Sequence, residues 1–99
     1  MISASDIQNK YNKVYVQMRK YIWDFQAVEA LADLEIECYK SCPSKSSIQA
    51  ALDRLEYCVK PILLEDEDFE KALTAFQETL DSGDTFYKRL SSVREVVQE

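Results

Sequence analysis

The densest run of chemically active side chains is Glu65, Asp66, Glu67, Asp68 and Glu70, five carboxylates in six positions. Oxygen at that density suits hard cations, but calcium takes about six to eight ligands folded around it, with a glycine at the turn. The one glycine, Gly83, lies well downstream, and no EF-hand spacing runs through the acids. Acids gathered ahead of an apolar series are what the positive end of a helix dipole favours. Three thiols, Cys38, Cys42 and Cys58, fall short of the ligand set of structural zinc, and a chain without histidine cannot complete it. The missing imidazole also removes the commonest proton carrier near neutral pH. Lys60, near Cys58, is too little to activate a nucleophilic thiol. The residue types therefore point to no catalytic, cofactor-binding or metal-ligating set.

Two carboxylate pairs, Glu67-x-x-Glu70 and Glu78-x-x-Asp81, are similar to the acidic motifs of all-helical nucleotide pyrophosphohydrolases. The resemblance implies magnesium held between neighbouring helices and hydrolysis of a nucleotide. The chain departs from it, because both pairs fall on one short helix and cannot face each other across a monomeric bundle. Glu29, Asp33 and Glu37 recur every four residues as an acidic stripe. A di-iron bundle would need Glu-x-x-His pairs there, so the stripe reads as a solvated face or a docking surface for a basic partner. Lys10, Lys13, Arg19 and Lys20, interleaved with Tyr11, Tyr15 and Tyr21, could follow a phosphate backbone. A net charge of −6 disfavours nucleic acid and anionic membrane surfaces, and these bases are expected to answer acids within the bundle or on a partner.

The sharpest expectation attaches to residues 21–25. Tyr21, Trp23 and Phe25 point around a helix and cannot all face one core. At least one, Trp23 foremost, should stand at an interface, where tryptophan is enriched among binding hot spots. The candidate partner surface is Tyr21, Trp23 and Phe25 with the adjoining stripe Glu29, Asp33 and Glu37.

The elements that must position these residues are helical. Ile7, Tyr11, Val14, Met18, Ile22 and Phe25 recur at three- or four-residue spacing, and Val28, Leu31, Leu34 and Cys38 continue the series. Ser5 with Gln8 has the form of a capping box. The first helix either runs from residue 5 to about 40 or breaks near residues 21–24, where Arg19 and Lys20 are followed by Asp24 in the order that dipoles favour. Pro43 and its serines form a loop. A helix then starts near Ser47 with Ile48, Leu52, Leu55 and Val59 inward, and Pro61 should stop or kink it near Lys60. The next carries Phe69, Leu73, Phe76 and Leu80. Gly83 and Asp84 read as a stop and restart, with Phe86, Leu90, Val93 and Val97 as the last stripe. The spacing also permits one Pro-kinked helix over residues 47–81, paired as a hairpin or a dimeric coiled coil; two helices are preferred.

The fold expected is all-α, a single compact antiparallel bundle of four or five helices. With 46% hydrophobic residues and eleven aromatics, 99 residues can build a core unaided. An odd number of cysteines, no apolar leader and no membrane span point to a reduced, cytoplasmic protein. The function expected is protein–protein interaction by a small acidic adaptor, regulator or inhibitor without catalytic activity, with a homodimer among the arrangements left open. The alternatives are a phage- or mobile-element-type inhibitor whose acidic face fills the nucleic-acid site of an enzyme, and, behind it, a metal-dependent nucleotide hydrolase.

Overall fold

A computed structural model of the chain describes the backbone of residues 3–98 and the side chains of residues 3–82. The first apolar series folds as α1, Ala4–Met18, burying Ile7, Tyr11, Val14 and Met18. Its N-cap is Ser3, which uses its carbonyl to accept the Ile7 N–H at 3.1 Å, while the Ser3 and Ser5 hydroxyls bond each other. The Ser5 capping box therefore does not form, because the helix has already begun at Ala4.

The break near residues 21–24 is present. A single 3-10 turn, Arg19–Tyr21, ends the first helix, and the extended Asp24 caps α2, Phe25–Cys38, by accepting the Ala27 N–H at 3.1 Å. The turn resets the helical phase. Ile22, Phe25 and Val28, inward in an unbroken series, are exposed, and α2 instead buries Ala27, Ala30, Leu31, Leu34 and Cys38.

Ser44 caps α3, Lys45–Leu63, which starts slightly earlier than Ser47 and buries Ile48, Leu52, Leu55 and Val59 as expected. Pro61 does not stop this helix at Lys60. It sits exposed in the last turn, where its missing N–H removes one bond and the residues beyond need only two more positions of helix. The Ile62 carbonyl then accepts from Glu65 and Asp66, each at 3.0 Å, closing the turn between two separate helices.

The fourth helix, α4, spans Glu67–Gln98 and buries Phe69, Leu73, Phe76 and Leu80. It runs through Gly83 and Asp84, so the expected stop and restart are absent and the bundle has four helices rather than five. A glycine inside a helix costs about 1 kcal/mol, too little to break a favourable series. Just upstream, the Thr79 and Ser82 hydroxyls bond back to the Ala75 and Thr79 carbonyls and leave the helix intact. The stripe Phe86, Leu90, Val93 and Val97 lies outside the described side chains.

Consecutive helices are antiparallel. Tyr39, just past the end of α2, reaches Asn12 in α1; Arg54 in α3 pairs with Asp33 in α2; Gln49 near the start of α3 bonds Gln77 of α4; and the ring closes where Lys20, just after α1, meets Asp66 at the head of α4. Each helix touches its two neighbours, and among the described residues the backbones of the diagonal pairs α1/α3 and α2/α4 do not approach each other. One core cluster joins all four, with Tyr21, Cys58, Ile62 and Leu63 packed at its edge. Among the described residues, no helix is long and apolar enough to cross a membrane.

Candidate interaction surface

The corner between α1 and α2 is fixed by a single carboxylate. Asp66 Oδ2 accepts from Lys20 Nζ and from the Tyr21 hydroxyl, both at 2.6 Å, while Oδ1 accepts the Phe69 N–H at 3.1 Å and caps α4. The bonds from Lys20, Tyr21 and Phe69, in that order, hold the Asp66 carboxyl down to about 2. The Tyr21 hydroxyl is pushed up, first by its bond to that carboxylate. Its ring lies 5.9 Å from Phe69 and 5.7 Å, edge-on, from Trp23. Tyr21 is thus a half-buried clamp that holds this corner against α4.

Trp23 is 70% exposed, and Phe25, which an unbroken apolar series would turn inward, is 80% exposed. Two neighbours were missed. Ile22 is 66% exposed beside them, and Leu64, in the turn between α3 and α4, is 86% exposed at the same end of the bundle. Leu64 had a legible signal, since it lies between the last apolar residue of one helix and the acidic cap of the next.

From this corner the outer side of α2 continues the apolar surface. Phe25, Val28, Ala32 and Ile36 follow one another at three- and four-residue spacing and are all exposed. Buried Ala27, Ala30, Leu31 and Leu34 occupy the opposite side, so α2 is apolar on two faces. Glu29, Asp33 and Glu37 flank the outer stripe along one edge, and the exposed Glu35 lies on the other. The acids are not equally free. Asp33 pairs with Arg54 across the seam to α3, and Glu37 pairs with Lys40 at 2.6 Å. Glu29 has no such partner among the described residues, and α2 contains no basic residue.

The remaining candidates are dispersed. Of the four bases, Lys20 is bound to Asp66, whereas Lys10 and Lys13 share the outside of α1 with Asp6, Asn9 and Asn12. Both carboxylate pairs of the hydrolase-like pattern sit on α4, where Glu67, Glu70 and Glu78 line an open groove and Glu67 pairs with Lys71 at 3.1 Å. No group of three or more potential ligands is gathered for a metal among the described residues. Cys38 is buried in the core, which pushes its thiol up to about 12; Cys58 is half-buried and Cys42 exposed, all three unpaired. Glu56, half-buried on α3, has its carboxyl raised first by burial and then by Asp53. The chain matches no family model, no curated protein and no solved structure.

Proposed function

We propose that this chain is a small acidic protein–protein interaction module, an adaptor, regulator or inhibitor without a catalytic centre, working in a reduced cytoplasmic compartment. The observation that carries the reading is the exposure of Trp23 and Phe25 on a corner locked from behind by Asp24 and Asp66. A large aromatic left in water forfeits the stabilisation that burial would give it, about 1.5–3 kcal/mol for a phenylalanine. Aromatics held on a preorganised backbone bind with less ordering cost, which is the property of interface anchors. Free thiols, with the least exposed one buried, fit a reducing setting.

The test is affinity capture from native lysate with the wild-type chain and with Trp23→Ala, compared by quantitative mass spectrometry. Circular dichroism should be the same for both, because Trp23 contributes little to the core. A partner retained by the wild type and lost by the variant is the expected result. The same proteins returning at the same yield would remove Trp23 from the interface. As the chain's one tryptophan, Trp23 also reports directly: its emission should shift to the blue when the purified partner is added.

A further inference from the structure

Resting on that reading, we infer that the outer face of α2 receives an amphipathic helix carried by a basic partner protein. Phe25, Val28, Ala32 and Ile36 form a continuous apolar stripe covering three helical turns, about 16 Å. A stripe of this kind is what one helix offers another, read as anchors at i, i+3 and i+4 spacing. Ala32 leaves a gap among larger neighbours into which an incoming leucine or phenylalanine can insert.

Charge selects the occupant. Acids flank the stripe on both sides, with Glu29 unpaired among the described residues, and α2 has no base. Two copies of this chain joined through α2 would set acidic flanks against acidic flanks, which is destabilising. A helix with lysine or arginine beside its apolar anchors meets the same flanks with opposite charge, gaining both specificity and association rate.

The experiment displays a library of three- to four-turn helical peptides, apolar at the anchor positions, with flanking positions randomised among Lys, Arg, Glu and Gln. Selection is made on the immobilised 99-residue chain. Enrichment of Lys- and Arg-flanked peptides is expected, with binding weakened by salt and reduced about tenfold or more by Ile36→Asp and by Glu29→Lys/Glu37→Lys. Ile36 is 60% exposed, so its variant should keep the wild-type helical spectrum and melting point. Enrichment of acidic or neutral flanks, or of nothing above the bare matrix, overturns the inference. So does a concentration-dependent dimer at pH 7.5 and low salt that Ile36→Asp dissolves, because the occupant is then a second copy. Lysate capture that Trp23→Ala abolishes and Ile36→Asp leaves intact would sink this inference while leaving the interaction reading standing.

Discussion

Asp66 receives a lysine, a phenol and a backbone N–H on one carboxylate, and so ties the α1–α2 corner to the head of α4. Charge-assisted bonds of this kind are the strong ones, and their dependence on protonation has a definite sign. The carboxyl titrates at about 2 in the folded chain against an ordinary value of 3.8. Its stabilisation is therefore complete above pH 3.8 and disappears as the pH falls through 2. Asp66→Asn keeps an N-cap but loses the charge, so urea melts should show a gap from wild type at pH 7 that closes between pH 4 and pH 2. Asp66→Ala loses the cap as well, and should cost about 1–2 kcal/mol at neutral pH. A gap that persists unchanged at pH 2 would mean that the charge on Asp66 contributes nothing. In the bare sequence Asp66 is one of five acids gathered ahead of an apolar series. Its real role needs Lys20 and Tyr21, more than forty positions away, and no local pattern connects them. Trp23 was legible for the opposite reason: three aromatics at alternate positions cannot share one helical face, whatever the fold.

Helix identity and inward faces followed from spacing wherever the apolar residues were large. The series Ile48, Leu52, Leu55, Val59 and Phe69, Leu73, Phe76, Leu80 are buried as their periodicity requires. The face of α2 was misread because its core side is partly alanine. Ala27 and Ala30 are wholly buried, yet Phe25 and Val28 are larger and drew the stripe toward themselves. Once Asp24 resets the phase, small residues suit the close approach of α2 to its neighbours, and the large ones are left outside. Glycine misled where proline did not: Pro61 announces a helix end that comes two residues later, at Leu63, with a separate helix beyond, whereas Gly83, read as a stop, is tolerated inside a long helix. Gly83→Ala separates the two readings of α4. In a continuous helix it should raise stability by about 0.5–1 kcal/mol, measured by thermal or urea denaturation. At a left-handed cap it would lower stability instead, and the expected stop after Asp81 would be restored.

At the scale of the whole molecule, two tendencies oppose each other. The end of the bundle carrying Ile22, Trp23 and Leu64, and the outer side of α2, expose large apolar side chains that attract one another in water. A net charge of −6, with acids concentrated beside that surface, keeps identical molecules apart. Which tendency dominates is set by pH and salt, because apolar attraction is indifferent to protonation while the repulsion is not. At pH 7.5 and low salt the chain should sediment as a monomer. Near pH 4.7, where its net charge balances and the flanking acids are partly protonated, the repulsion is weakened and the apolar surfaces should pair. High salt at pH 7.5 should produce a weaker form of the same association by screening. The double variant Phe25→Ser/Ile36→Ser, both positions exposed, should remain monomeric throughout with its helical spectrum unchanged. Association at pH 4.7 that survives the double variant would place the sticky surface elsewhere. A wild-type chain that stays monomeric at its isoelectric point would show that the exposed apolar stripe is too weak to hold a partner without opposite charge.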